Sequence, residues 1–332
     1  MAAGYLGKLP EQSAAAAGGG WVLLERESSH RKNRNLPFAV PVKSSLLSAL
    51  DPEYRPPSGV LDHCIYCGAL NSLSDEHSIP FALNGKWVLP KATCTPCARN
   101  TSRMERICAR NVLGSMRIQH GFRTRRKRRK PDPVKLIVST DILTGAAEKT
   151  LALDPVRAPL VPIGIPALDL PGDVTGRYAI DGFRNATWLW TPPARGLEAA
   201  KVRRIKPDGV IGFEFKQDHF AMSRLMAKIA FCEAVARFGT DQVTRELVPY
   251  IMGLNPHLTD KVGQMPNPFD CVGSVSDPAC RVSFLIWEQL GLATLVAKVE
   301  LFNHLGGPSY LVAVCKASGL LKERVLLPKI DG

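Results

Sequence analysis

Two cysteine pairs constrain this chain more than any other feature. Cys64-Ile-Tyr-Cys67 and Cys94-Thr-Pro-Cys97 both have the C-x2-C spacing and stand about 26 residues apart. Four thiolates in this arrangement can close a tetrahedron around Zn²⁺, with Zn–S bonds near ~2.3 Å. Gly68, directly after the first pair, suits the tight turn of a knuckle because glycine accepts positive φ. Four cysteines saturate the metal and leave no position for substrate, so the expected zinc holds the fold and does no chemistry. The other five cysteines (Cys108, Cys232, Cys271, Cys280 and Cys315) are scattered and odd in number. They read as buried thiols in a reducing compartment rather than as a disulfide framework.

The formal charge of +13 favours a polyanionic partner, nucleic acid ahead of an acidic membrane surface. No run approaches the ~20 consecutive apolar residues of a membrane span. The opening MAAGYLGKLPEQSAAAAGGG lacks the basic and apolar regions of a signal peptide, so the expectation is a cytoplasmic protein with no membrane partner.

Composition then divides the chain. Residues 1–60 are an Ala/Gly-rich and Pro-spaced lead-in with little core of its own, expected to be largely disordered. Residues 61–122 hold the cysteine pairs. Residues 123–133 are a basic linker closed by two prolines, and 134–332 read as a C-terminal α+β domain. In that last part, apolar spacing at Met222, Leu225, Met226, Ile229, Cys232 and Ala236 predicts a helix over 218–238, with Gly239 at its C-cap. The tail RVSFLIW…LATLVAKVELF…SYLVAVCK reads as three strands of a meander.

Chemistry concentrates between the knuckles, in LSDEHSIPFALNGKWVLPKATCTPCARNTSRMER. Cutting a phosphodiester requires a base for water and a cation for the phosphate. His77, with an unperturbed pKa near ~6.5, is the natural base, and the adjacent Glu76 offers the hard oxygen that Mg²⁺ prefers. Both knuckles, an acid-His-x-Ile-Pro step, a Gly-containing turn and a helix leaving the second knuckle together resemble the HNH endonuclease family. The branch resembled is the one whose ββα-metal core is braced by two CxxC pairs. The resemblance covers residues 64 to about 130 closely, and reaches more loosely into MSRLMAKIA. It implies His77 as general base, Glu76 as ligand of a catalytic Mg²⁺ or another divalent cation, and DNA, or else RNA, as substrate.

The sequence departs from that family at one ligand. Asn or His commonly follows the last cysteine, and here Ala98 does. Asn100 is the nearest replacement as catalytic residue and metal ligand, although a two-residue shift turns a side chain by ~200° on a helix. Asn84 reads as a turn residue before Gly85, and Asp75 as a helper or a solvated neighbour.

Beyond Cys97 a helix candidate carries Arg99, Arg103, Arg106, Arg110 and Arg117 inside a stripe about 60° wide, with Glu105 well away from it. An arginine stripe without carboxylates suits a phosphate backbone. Arg125, Arg126, Lys127, Arg128 and Arg129 in the linker add salt-sensitive anchoring. Pro207-Asp208…Glu214-Phe215-Lys216 has the letters of another nuclease motif, but its spacing is too short and a turn leading into a strand reads better. The expectation is therefore an α+β protein: a small zinc-braced, treble-clef-like ββα domain, then a larger domain with an antiparallel sheet. Its expected function is metal-dependent DNA cleavage. The alternatives are a catalytically inactive zinc module that binds nucleic acid, and an assembly protein docked by its basic segment.

Overall fold

The computed structural model describes residues 61–119, 122, 134–139, 149–154, 161–168, 170–175, 183–190, 210–214, 218–255, 260–265, 280–289, 291–302, 307 and 309–326. Arg125, Arg126, Lys127, Arg128, Arg129, Asp208, Lys216 and Cys271 lie outside them.

The cysteine segment is built on a hairpin. β1 (Leu73–His77) pairs antiparallel with β2 (Val88–Cys94), with Leu73 opposite Cys94 and His77 opposite Val88. An irregularity between Ser74 and Glu76 interrupts the register, and there the Lys91 backbone N–H donates to Asp75 Oδ1 at 3.2 Å. Asp75 is thus a local brace on the exposed edge. Pro80 leads into a short 3₁₀ turn at Phe81–Leu83, closed by Asn84 in the left-handed region at φ 64°. Gly85 is required here, because a Cβ would sit 1.9 Å from the Ile79 carbonyl oxygen.

Helix α1 (Thr95–Ile107) starts at the second cysteine pair, with Pro96 in its first turn, where no intrahelical N–H is needed. Its inner face buries Cys97, Thr101 and Met104. The continuous helix expected from sequence is interrupted at Cys108–Val112, which is a π-helical turn; the Leu113 N–H reaches back five residues to the Cys108 carbonyl at 2.9 Å. A short α2 (Gly114–Gln119) comes next.

Further along, β3 (Val134–Ser139) lies between β4 (Lys149–Leu153) and β7 (Val210–Glu214) in a three-stranded antiparallel sheet. β5 (Val161–Leu168) pairs antiparallel with β6 (Phe183–Trp190). The C-terminal meander forms as expected: β9 (Cys280–Gln289), β10 (Leu292–Leu301) and β11 (Ser309–Lys316) are antiparallel neighbours. β8 (Val262–Met265) adds to the free edge of β11. The protein thus combines helices with antiparallel sheets.

Helix α3 (His219–Phe238) joins these parts. Asp218 caps it by accepting from the Ala221 N–H at 2.8 Å, and Gly239 leaves it at φ 88°. All six apolar positions read from its sequence are buried. Beyond its first turn the helix is nevertheless buried on most of its surface, Ser223 and Lys228 included, with Arg224 and Arg237 half-buried, because α1 packs on one flank and β10 and β11 on another. One continuous apolar core runs from Ile65 and Tyr66 through α3 to Val312 and Leu321. The basic linker therefore separates in sequence what packing joins in space. Among the described residues no helix is long and apolar enough to cross a membrane.

Candidate functional site

The four cysteines of the two pairs converge. The first knuckle is shaped by backbone bonds: Gly68 N–H donates to the Cys64 carbonyl at 2.8 Å, and Cys64 N–H donates to the Ala69 carbonyl at 2.8 Å. Gly68 adopts φ 80°, which an L side chain rarely tolerates. The second pair straddles the end of β2 and the first turn of α1. All four Sγ atoms lie within 4.8 Å of one another, and the Cys67–Cys94 pair is at 3.5 Å. Ligands at ~2.3 Å around a tetrahedral ion sit ~3.8 Å apart, so the sulfurs fit a structural zinc. Burial pushes the Cys64 thiol up, but the backbone N–H groups of Cys67, Cys94 and Tyr66 outweigh it and hold this thiol at about 7.

At the other end of β1 the chain presents Glu76 and His77. His77 is half-buried, with its ring edge-on to Phe81 at 6.1 Å. Glu76 points inward and is 5 % exposed. Its Oε1 meets Lys228 Nζ at 2.8 Å and accepts from the Tyr66 hydroxyl at 3.3 Å. Lys228 itself is fully buried, and it also contacts Glu105 Oε1 at 3.0 Å. It donates further to the main-chain carbonyl of His77 and lies 3.4 Å from that of Ser78. Burial pushes the Glu76 carboxyl upward; Lys228 draws it back and Glu105 adds to the rise, for a net shift up. For Lys228 burial opposes the charge, but Glu105 and Glu76 more than compensate, and the ammonium is held well above its usual range.

Asn100 has other partners. Its Oδ1 accepts from Arg224 at 2.8 Å, and its Nδ2 donates to the Met252 carbonyl at 3.2 Å. Arg224 in turn donates to the Ile251 carbonyl at 2.9 Å, so the amide serves as a clamp between α1 and α3. The carboxylate and the amide are thus each bonded to α3, one turn apart, at Lys228 and Arg224. This donor set does not fit an open Mg²⁺ site, because a metal at Glu76 would have to displace a buried ammonium.

The arginine stripe survives in part. Arg99, Arg103, Arg106 and Arg110 are exposed, and the first three line an open groove with Pro96, Asn100 and Ser102. Arg117 leaves the stripe. One extra residue in the π turn rotates the downstream helix by roughly 100°, and Arg117 instead donates to the carbonyls of Ala82 and Ala109.

Sequence reasoning passed over Lys228, Glu105 and Tyr66. A lysine in the apolar run LMAKIAF was the available signal, since lysine is almost never fully buried unless paired. Compared with models of protein families, with curated proteins and with solved structures, the chain matches none of them.

Proposed function

We propose that this chain is a zinc-braced ββα module of the HNH kind that acts on nucleic-acid phosphodiesters, with DNA as first substrate. The observation that carries the reading is the order β1–β2–α1 itself. It combines a four-sulfur cluster at one end of the hairpin, His77 at the other, and exposed arginines on the adjoining helix. In this reading zinc fixes the angle between hairpin and helix. Arg99, Arg103, Arg106 and Arg110 take phosphate oxygens, supplying position rather than sequence preference. The His77 imidazole removes a proton from the attacking water.

The test is cleavage of supercoiled plasmid by wild type and His77→Ala, with Mg²⁺, with Mn²⁺ and without either, beside a binding shift. Equal binding with cutting reduced at least about 10²-fold in the variant supports the reading. Binding without cutting by the wild type under every condition overturns it. The second reading, a zinc module that binds nucleic acid without hydrolysing it, then stands. It is favoured by the engagement of Glu76 and Asn100 with α3.

A further inference from the structure

Between β1 and α1 lies a cage of oxygens that already contains a cation. We propose that the Lys228 ammonium is the resident cation of this crevice, occupying a hard-oxygen site and keeping divalent metal out of it. The proposal concerns metal binding alone, so it stands or falls independently of whether the chain cuts nucleic acid.

The donor set is the first argument. Lys228 Nζ is surrounded by carboxylate oxygens of Glu76 at 2.8 Å and Glu105 at 3.0 Å, by the His77 carbonyl, and by the Ser78 carbonyl at 3.4 Å. Two carboxylates and main-chain carbonyls are what Mg²⁺, Mn²⁺ and Ca²⁺ take from proteins. An ammonium has three N–H donors, and the two carboxylates and the His77 carbonyl are enough to use all three.

Position is the second. Lys228 sits mid-helix with its side chain fully buried, so the ammonium has only the cage oxygens for partners and none from solvent. A diffusing dication would have to evict it and leave a buried ammonium without a partner, which is costly. Charge is the third. Two carboxylates around one ammonium carry one net negative charge, so the cage without its lysine would present two buried or half-buried carboxylates and main-chain oxygens to a dication. Tyr66, donating to Glu76 at 3.3 Å from a fully buried position, holds that carboxylate in place independently of Lys228.

The experiment titrates full-length protein with Mn²⁺, following the free ion by electron paramagnetic resonance, with zinc content and thermal melting recorded for every variant. The wild type is expected to show only weak, non-stoichiometric binding, unchanged in Glu105→Gln. Lys228→Ala is expected to bind one Mn²⁺ per chain at least about tenfold more tightly than wild type. The double variant Lys228→Ala/Glu105→Gln is expected to lose that gain. The proposal is overturned if the wild type binds one Mn²⁺ that Glu105→Gln weakens, a comparison that holds even where Lys228→Ala does not fold. It is equally overturned if Lys228→Ala melts cooperatively with its zinc content intact and binds no more Mn²⁺ than wild type.

Discussion

Two four-donor sites lie at opposite ends of β1, and they solve the same electrostatic problem in different ways. At the Leu73 end four sulfurs come within 4.8 Å of each other, a soft donor set that suits zinc. At the His77 end two carboxylates and two carbonyls surround a nitrogen that belongs to the protein. The sulfur cluster gathers ligands from a single stretch of 34 residues, Cys64 to Cys97. The oxygen cage needs α3, more than a hundred residues downstream of α1. The first can assemble with its own segment, whereas the second exists only once α3 has docked.

The largest expected effect would come from breaking the sulfur side. A structural zinc contributes on the order of 10 kcal/mol of apparent binding energy in small domains. Stripping it with a strong chelator, or replacing Cys97 by Ser, is expected to unfold residues 61–119 and abolish cooperative melting. Melting unchanged by complete metal removal would show that the sulfurs hold no structural metal.

Lys228→Met is the corresponding cut on the oxygen side. It leaves Glu76 buried without its counter-charge and is expected to cost about 3–5 kcal/mol in urea unfolding. Lys228→Met/Glu76→Gln should recover most of that loss, because Glu105 is 24 % exposed at its side chain and can rely on water. A single-variant cost below about 1 kcal/mol would mean that the cage is not a stabilising unit.

The two sites should also part company with pH. Protons compete with zinc for thiolates, so the sulfur cluster weakens in acid. Lys228 is raised above its unfolded value near ~10.4. Its contribution is therefore fully present below that pH and is lost as pH rises through the higher folded value. Measured against Lys228→Met/Glu76→Gln, wild-type stability should fall above about pH 10, a loss separate from the one that the raised Glu76 carboxyl adds at lower pH as it ionises. No relative loss on the alkaline side would contradict the ammonium assignment.

Smaller effects sharpen the boundary between the cage and the helix surface. Asn100→Ala removes the clamp to Arg224 and Met252 and should cost about 1–2 kcal/mol with nucleic-acid affinity unchanged. Loss of cutting with full stability would return Asn100 to a reacting site. Arg103→Ala should lower the slope of log affinity against log salt by about 0.9 for each phosphate that is no longer neutralised. Arg117→Ala should leave that slope unchanged and lower the melting temperature. Equal slopes for both variants would detach the exposed stripe from binding.

The cysteine cluster, the 218–238 helix and the C-terminal meander were legible because each is written locally. A C-x2-C pair brings its own sulfurs together, Gly239 marks a helix end, and apolar alternation marks strands. The single helix expected beyond Cys97 failed at Cys108–Val112, where a π turn carries Arg117 away from its stripe and onto the Ala82 carbonyl. No residue type forbids an α-helix there, so spacing alone could not reveal the break.

By itself, then, the sequence determined that four thiols would gather and that Glu76 and His77 would stand side by side between the two cysteine pairs. Which way Glu76 faced, and what met it there, was decided by tertiary structure. Adjacent strand residues point to opposite sides, and the inward side was claimed by α3. A buried carboxylate needs a partner, and the partner that docking supplied was Lys228, with Glu105 brought to the same nitrogen from a helix face that composition had marked only as distant from the arginines.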